Sequence, residues 1–409
     1  MFSRFHRTKR IQPGHKTNKR KRHATHPFQH FITGTHSSPP QDFATIGNME
    51  NWTRRDLSLG LMASSLWAAT PPSLVKLPKK VRLVLLGTLG HVGEVLKPLP
   101  QLPEIEITAY CEADKSELAK VLKNPALGKA KTYTDYRKML DDEKPDIVAV
   151  CTSNGDRAEA IRACCRRKLP FIAEKPFATT LTEYIAVEKQ IVDAGIQPGI
   201  LLPLRFDPPY LAIHEIVKSG AIGEVGQISS QKSYKAGERP AWMRDYKTYG
   251  GTIPWIGIHM IDLMRFTSGR EFSEVASYQS QVFPPASIGA MENTTGTIFR
   301  MDNGGVASLH MDYYRPDSAV THGDDRIRLA GPKGIVEYLE ATGVTLLVEG
   351  RKQEKITDLP AQRQVFVDYL EALYNGRKPL ISRDDMFRSN RATLAAHQAA
   401  VEKRFVRVT

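Results

Sequence analysis

Alternating strand-like and helix-like runs constrain the fold of this chain more than any other feature. The alternation starts after Lys80 with "VRLVLLG", whose length and β-branched residues are typical of a buried parallel strand. Further strand-like runs are "EIEITAYCEAD", "DIVAVCTS", "PFIAEKP" and "IQPGILLPLRF", and helical runs such as "RAEAIRACCRRK" separate them. This pattern predicts an α/β fold with a doubly wound parallel sheet.

Three glycines, Gly87, Gly90 and Gly93, occupy the first turn from strand to helix. Backbone amides and the helix dipole at such a turn favour a pyrophosphate, although GxxGxxG departs from GxGxxG and a structural glycine turn is the alternative. Glu112 ends the second strand, where a carboxylate accepts a ribose 2′-OH and repels a 2′-phosphate. We therefore expect a Rossmann dinucleotide-binding domain over residues 80–203 that prefers NAD, with NADP as the alternative. The expected cofactor contacts in the loop are Gly87, Thr88, Leu89, Gly90, His91 and Val92.

The stretch "AEKPF" lies at the carboxyl end of a predicted parallel strand, which is the edge where open α/β sheets bind ligands. Pro176 holds the backbone of Lys175 extended, or cis across the bond between them. Because Glu174 and Lys175 are strand neighbours, we expect their side chains on opposite faces.

With the "EKP" triplet as the most recognisable feature, the chain from about Lys80 to the C-terminus resembles the Gfo/Idh/MocA family of NAD(P)-dependent oxidoreductases. That family joins an N-terminal Rossmann domain to a C-terminal α/β domain with a large, open, mostly antiparallel sheet. "CTSNGDRAEAI" resembles the cofactor-contacting strand end of the family, with Thr152 and Asn154 matching and Arg157 where histidine is common. "PLRFDPPY" resembles the entry to the second domain, with Arg205 matching. The resemblance adds Thr152, Asn154, Glu174, Lys175 and Arg205 to the expected cofactor contacts.

"GGTIPWIGIHMIDL" resembles the glycine-led helix that brings the catalytic histidine of the family, and His259 matches it. Many members have an aspartate four residues earlier, where this chain has Trp255, so the indole is expected to face the same site. An indole cannot accept a proton, but it can stack on a sugar ring or close a pocket. Asp262 is a candidate to orient the imidazole or contact substrate, with ordinary helix-surface polarity as the alternative.

The resemblance implies hydride transfer between an alcohol carbon of a sugar or cyclitol and nicotinamide C4. Lys175 would stabilise the developing alkoxide and, with a pKa lowered by burial, also relay the proton; His259 would serve as the base. The segment before the site helix predicts a substrate wall containing Trp242, Arg244 and Tyr249, with loop packing as the alternative.

Two other functions remain open at this stage. One is an NAD-dependent glycosidase, in which hydride leaves and returns within one turnover. The other is a nucleotide- or sugar-binding protein with a decayed active site, which the presence of both Lys175 and His259 disfavours.

Strand-like runs after the site helix, with turns at Asn303-Gly304, Pro332 and Gly343, suit antiparallel hairpins. We expect a substrate-binding and oligomerisation domain over residues 204–409, a homo-oligomer formed through its sheet, and no membrane span. Four cysteines show neither a disulfide framework nor zinc spacing, and we expect no metal.

The N-terminus differs in character from the rest. Residues 1–48 form a basic extension that is expected to be disordered, with Met49 as an alternative start of translation. Residues 49–75 resemble a twin-arginine export signal, which predicts a periplasmic protein that holds its nucleotide tightly, with the cytoplasm as the alternative. Residues 1–70 contain 11 Lys/Arg and 3 Asp/Glu, which leaves the rest at only +5 of the total +13, so nucleic acid is not an expected partner.

Overall fold

The protein is described by a computed structural model over residues 74–112 and 114–408. The predicted basic extension and nearly all of the predicted export signal lie outside these residues. Their predictions therefore stay predictions.

The N-terminal half contains a parallel sheet of six strands in the order β3-β2-β1-β4-β5-β6. Its strands are β1 Val81–Leu86, β2 Ile105–Cys111, β3 Lys131–Tyr133, β4 Ile147–Val150, β5 Phe171–Ala173 and β6 Pro198–Ile200. The central strands are buried on both faces, as expected for apolar runs covered by helices on each side. The predicted doubly wound sheet is confirmed.

Helices connect these strands in the expected places. They are α1 Gly93–Leu96, α2 Lys115–Val121, α3 Tyr136–Glu143, α4 Asn154–Arg166 and α5 Leu181–Ala194. Asp114, Asp135, Ser153 and Thr180 cap the last four by accepting backbone N–H groups, which explains where these helices begin.

The last predicted strand of this half is much shorter than expected. "IQPGILLPLRF" is a strand only over Pro198–Ile200, and a 3₁₀ helix follows at Pro203–Phe206. Pro203 has no N–H to donate to a ladder and takes the first position of that helix, so the strand cannot continue.

The C-terminal half contains a nine-stranded sheet in the order β14-β13-β12-β11-β7-β10-β9-β8-β15. Its strands are β7 Gln227–Lys235, β8 Phe272–Ser280, β9 Thr294–Met301, β10 Val306–Arg315, β11 Gly323–Gly331, β12 Gly334–Leu339, β13 Gly343–Val348, β14 Glu354–Ile356 and β15 Val406–Arg407. β7 and β10 pair in parallel and the other pairs are antiparallel, so the predicted mostly antiparallel sheet is confirmed.

Six helices belong to this half or return to the first. They are α6 Pro208–Lys218, α7 Ala241–Arg244, α8 Tyr246–Tyr249, α9 Ile258–Ser268, α10 Val365–Asn375 and α11 Arg383–Glu402. Phe366 and Leu370 of α10 join the core of the parallel sheet, whereas Ala395 and Ala399 of α11 join the core of the second sheet. The chain therefore crosses back to the first sheet after completing most of the second.

A π-helical turn, Ile253–Gly257, leads directly into α9. The whole of this turn is buried. Within the described residues, none of the helices combines the length and the apolar run required to cross a bilayer. The same part of the chain contains no group of three His, Cys, Asp or Glu side chains placed to hold a metal ion.

Candidate active site

The candidate site forms where the carboxyl ends of four parallel strands meet. Gly87 follows β1, Glu112 follows β2, Thr152 comes two residues after β4, and the Glu174–Lys175 pair follows β5. Parallel strands place their carboxyl ends at one edge, so these residues gather there although up to 88 positions separate them in sequence.

Two glycines allow the loop after β1 to pass close to its neighbours. Gly87 and Gly90 have φ of 79° and 62°, in the left-handed region that favours glycine. A Cβ at Gly87 would lie 2.4 Å from the carbonyl oxygen of Cys151, and one at Gly90 would lie 2.5 Å from Oε1 of Glu174. The loop is thus a tight backbone turn, and its neighbours Leu89 and Val92 are buried.

The carboxylate of Glu112 is tied to the glycine loop. Its Oε2 accepts hydrogen bonds from the backbone N and the Oγ1 of Thr88, at 2.7 and 3.0 Å, and its Oε1 accepts one from the backbone N of Asp114. The acidic group therefore lies at the end of β2 beside the loop, the position that a ribose-binding carboxylate occupies in a dinucleotide fold.

His91 forms a dyad with Glu174. Oε1 of Glu174 accepts hydrogen bonds from both the backbone N and the Nδ1 of His91. Glu174 is completely buried, and burial alone would raise its pKa, but His91, Lys175 and Arg157 lower the pKa to about 2. The carboxylate stays ionised, and its imidazole partner retains a side-chain exposure of 31%.

The side chains of Lys175 and Glu174 are not directed to opposite sides, as the sequence analysis expected. Nζ of Lys175 lies 3.8 Å from Oε2 of Glu174, within ion-pair distance. The reason is that β5 ends at Ala173, so strand alternation does not extend over this pair.

Trp255 covers the ammonium group of Lys175. Nζ donates a hydrogen bond of 2.8 Å to the carbonyl oxygen of Trp255 and lies 3.1 Å from the centroid of its indole ring. Burial lowers the pKa of Lys175 to about 7; Arg157 and Lys232 add to the lowering, whereas Glu174 opposes it. A buried lysine that titrates near neutral pH can both hold and release a proton.

His259 lies beside the same group. Burial, followed by the charges of Lys175, His91 and Lys232, lowers the pKa of His259 well below its usual value, so its imidazole is neutral near pH 7. Its Nδ1 is buried and has no hydrogen-bond partner among the described residues. The ring centroids of His259 and His91 are 5.0 Å apart in an edge-to-face arrangement.

Trp255 faces the cluster that contains His259, as predicted. Its ring centroid is 6.3 Å from that of His91 and 5.2 Å from that of Trp242, which it meets edge to face. Trp242, one of the expected wall residues, therefore supports the indole that covers Lys175.

Arg205 and Asp262 do not join the cluster. They form a bidentate ion pair, with Arg205 Nε and Nη2 donating to Asp262 Oδ2 and Oδ1 at 2.9 and 2.5 Å, and both side chains are 1% exposed. Ser389 also donates to Asp262. The carboxylate of Asp262 thus binds the guanidinium of Arg205. Arg205 therefore does not reach the cofactor position as expected, and Asp262 neither contacts the substrate position nor orients His259 as expected.

Tyr249 and Arg244 are also directed to protein groups. The phenol of Tyr249 is fully buried against Thr252 Oγ1, so it does not line a substrate wall as expected. Arg244, in contrast, is half-exposed and donates to Glu238 and to the carbonyl of Arg239.

Asn154 and Arg157 hold the domains and the cis turn together. Asn154 Nδ2 donates to the carbonyl of Tyr249, which joins α4 to α8. Arg157 is completely buried and donates to the carbonyls of Thr152, Lys175 and Pro176. The side chain of Thr152 itself remains at the edge of the sheet, where it donates to the carbonyl of Ser153.

A buried ion pair on the second sheet was not predicted from the sequence. Lys232 of β7 is completely buried and bonds Asp325 of β11 through Oδ2, while Oδ1 of Asp325 has no partner within the described chain. A lysine at an inward position between Ser230 and Tyr234 was the available signal, but the segment has too few apolar residues to be recognised as a strand.

Two adjoining cavities open beside the cluster of His91, Lys175, Trp255 and His259. One, of about 720 Å³, is lined by His91, and the other, of about 480 Å³, is lined by Asp325; they share Leu204, Asp207 and Gln362. Three tyrosines line the smaller cavity, Tyr210, Tyr234 and Tyr338. Burial and the nearby charge of Glu94 raise the pKa of Asp207, at their junction, to about 6.

The residues at the strand ends fit a dinucleotide. The turn at Gly87 and Gly90 leaves no room for a Cβ, Glu112 stands at the end of β2, and the buried Nδ1 of His259 has no partner among the described residues. A pyrophosphate would be held by the glycine loop, a ribose by Glu112, and a nicotinamide near Lys175.

Comparison with known proteins agrees with this geometry. Residues 81–196 match the oxidoreductase family with an NAD-binding Rossmann fold, and residues 210–337 match the GFO/IDH/MocA C-terminal domain. A solved structure from Thermotoga maritima is 31% identical, with a TM-score of 0.75 over 80% of this chain and 100% of that one.

Named enzymes are among the relatives. Myo-inositol 2-dehydrogenase of Thermotoga maritima is 25% identical over 69% of this chain and 85% of its own length. Levoglucosan dehydrogenase, solved with NADH and L-sorbose, shares the fold at a TM-score of 0.68 and 18% identity over 81% of this chain and 99% of its own. The chain belongs to the Gfo/Idh/MocA family of oxidoreductases, with an NAD-binding Rossmann domain followed by the C-terminal domain of that family.

Proposed function

We propose that this protein is an NAD-dependent dehydrogenase that oxidises a ring hydroxyl of a sugar or cyclitol, with Lys175 and His259 as its catalytic residues. The observation behind the proposal is the convergence of these two side chains, one from each half of the chain, in one buried cluster at the carboxyl edge of the parallel sheet. Relatives that include inositol, xylose and apiose dehydrogenases support this substrate class.

Bound NAD supplies the hydride acceptor, nicotinamide C4. His259, neutral near pH 7, accepts the proton of the substrate hydroxyl. Lys175, whose pKa of about 7 makes both of its forms available, stabilises the developing alkoxide as an ammonium. Burial of both groups strengthens their electrostatic action because little water screens them.

The smaller cavity suits a polyhydroxylated ring. Its three tyrosines offer flat apolar faces for ring C–H groups, and the free Oδ1 of Asp325 is an acceptor for a sugar hydroxyl. Lys232, which pairs with Asp325, also lowers the pKa of Lys175 and of His259, which places this ion pair close enough to act on the catalytic residues.

The test combines nucleotide identification with substrate screening. Denaturation of the purified protein should release NAD, and a panel of sugars and cyclitols should reveal at least one substrate by absorbance at the nicotinamide band. Lys175→Met and His259→Gln should each lower kcat by about 10²- to 10⁴-fold. Lys218→Met, at an exposed lysine of α6, is the matched control. Full turnover by Lys175→Met would contradict the proposed mechanism.

The two alternative functions receive no support from the relatives named above, which are dehydrogenases. A glycosidase would hydrolyse glycosides without accumulating NADH, and a decayed site would bind nucleotide without turnover. The same screen therefore distinguishes all three functions.

Two further properties are proposed. The run Thr53 to Leu57 supports export through the twin-arginine pathway, and replacing Arg54 and Arg55 by lysine should retain the protein in the cytoplasm. The outer face of the second sheet exposes Tyr278, Ile298 and Val306 on neighbouring strands, which supports a homo-oligomer through this face. Ile298→Asp should lower the mass measured by light scattering if that face joins the copies.

A further inference from the structure

The buried catalytic pair raises the question of how a proton leaves the site. Lys175 is 1% exposed and His259 is 6% exposed. Alcohol oxidation releases one proton per turnover, so a base that cannot pass its proton on would remain protonated and block the next cycle.

His91 is placed between this pair and solvent. On one side, the ring centroid of His91 lies 5.0 Å from that of His259. On the other side, His91 lines the cavity of about 720 Å³. Its Nδ1 is bonded to Glu174, which leaves Nε2 as the nitrogen that can take up or release a proton. The paired carboxylate stabilises the imidazolium that forms when it does.

We propose that the His91–Glu174 dyad is a proton relay that carries the proton of the oxidised hydroxyl from His259 to water in the larger cavity. The inference rests on the proposed dehydrogenase function. Bound NAD would accept the hydride of the carbinol carbon, and His259 accepts the proton of the hydroxyl group. His259 passes that proton to His91, directly or through one water, and His91 releases it to the cavity as one H⁺ per NADH.

The relay explains a departure of this chain from its family pattern. The position four residues before His259, where many members have an aspartate, is Trp255, which cannot hold a proton. Glu174 and His91 supply a carboxylate and a titratable ring from the other domain instead. Asp262, the other carboxylate on the site helix, is unavailable because it is bonded to Arg205.

Several charged groups surround the relay and would influence its pH dependence. Glu174, His259 and Lys175 lie on the inner side. The titratable or charged side chains that line the larger cavity are Glu94, Lys97, Asp207, Arg363, Asp368 and Glu371. Four of these side chains are acidic and two are basic, so the cavity wall favours a positive charge on a group that carries a proton toward the water.

The first test is kinetic and uses the sugar found in the screen. At saturating NAD, which allows for a change in cofactor affinity because His91 belongs to the glycine loop, His91→Gln should lower kcat by about 10²-fold, the usual effect of losing a general acid or base. The solvent deuterium isotope effect should rise and the isotope effect of a C-deuterated substrate should fall, because proton release becomes limiting. Added imidazole should restore part of the turnover of His91→Ala. His310→Gln, at an exposed histidine of β10, is the matched control.

The second test needs no turnover. In histidine-labelled protein, the ring N–H of His259 should exchange with solvent faster in wild type than in His91→Gln, because the relay connects it to the water of the larger cavity. If wild-type protein reduces NAD while His91→Gln keeps the wild-type kcat and isotope effects, the relay is wrong and the dehydrogenase stands. If wild-type protein oxidises none of the sugars, the proposed function fails, and equal exchange rates of the His259 ring N–H in wild type and His91→Gln would overturn the relay separately.

Discussion

Lys175 donates to the carbonyl oxygen of Trp255 and lies under the indole of the same residue, 3.1 Å from its ring centroid. One residue thus supplies both a hydrogen-bond acceptor and a π face to the catalytic ammonium. Each interaction favours the charged form of the lysine against the burial that lowers its pKa. The tryptophan in the family aspartate position therefore contributes to the electrostatics of the site, although it cannot exchange a proton.

Exchanging this indole for a carboxylate should move the pH profile. In Trp255→Asp the negative charge should raise the pKa of both Lys175 and His259, because it favours their protonated forms. Trp255→Asn removes the same ring without adding charge and is the control. The limb of the kcat/KM profile that reports these groups should lie at higher pH in the Asp variant than in the Asn variant. Coincident profiles would show that position 255 does not face the titrating groups.

Lys175 should also make stability depend on pH. Its folded pKa of about 7 lies below the usual 10.5, so between these values the unfolded chain holds more protons on this group than the folded protein does. The free energy of unfolding should therefore rise with pH across that window. Lys175→Met removes the contribution of this group to the pH dependence. In urea unfolding, the increase in the free energy of unfolding from pH 7 to pH 10 should therefore be larger for wild type than for the variant. An equal change in the free energy of unfolding of the two proteins would mean that the pKa of Lys175 is not lowered in the folded protein.

The ion pair between Arg205 and Asp262 should act on stability and not on substrate binding. Removing the carboxylate of Asp262 leaves the buried Arg205 with only the more distant Asp385, 3.4 Å away, so Asp262→Asn should cost about 3 kcal/mol. Its KM and NAD affinity should stay at wild-type values at temperatures where it remains folded. The double variant Arg205→Met with Asp262→Leu should lose less than the sum of the single changes. A raised KM without loss of stability would restore the sequence-based role in substrate contact.

The sequence predicted those parts of the molecule that local chemistry determines. Apolar runs identified the strands of the parallel sheet, and the chain order of the strand ends identified Lys175 and, with the site helix, His259. The roles of Arg205 and Asp262 could not be predicted, because the partner that satisfies a buried charge lies 57 residues away and depends on packing. β7 was missed for a related reason: its inward positions include Ser230 and Lys232, which are buried because they have polar partners and not because they are apolar.

The free oxygen of Asp325 should contribute to substrate binding. Asp325→Asn keeps the size of the side chain but weakens its acceptor and its pairing with Lys232, so KM for the sugar should rise by about tenfold, equivalent to about 1.4 kcal/mol for one lost hydrogen bond to a charged group. NAD affinity should not change, because no residue of the glycine loop borders this cavity. Asp324→Asn, on the adjacent and oppositely facing position of β11, is the control. Equal KM values for the two variants would place the sugar elsewhere.

Glu112 should set the choice between NAD and NADP. Its carboxylate stands at the end of β2 beside the glycine loop, where it would repel a 2′-phosphate. Glu112→Ser removes the charge and keeps a small hydrogen-bonding side chain, so the ratio of kcat/KM for NAD to that for NADP should fall by about tenfold or more, since one tenfold step is about 1.4 kcal/mol. Thr88→Val separates the effect of the Glu112 charge from the effect of the hydrogen bond that holds the carboxylate. It removes the side-chain donor to Glu112 and leaves the carboxylate present. It should lower affinity for NAD without reversing the preference. An unchanged ratio in Glu112→Ser would show that another group near the loop reads the ribose.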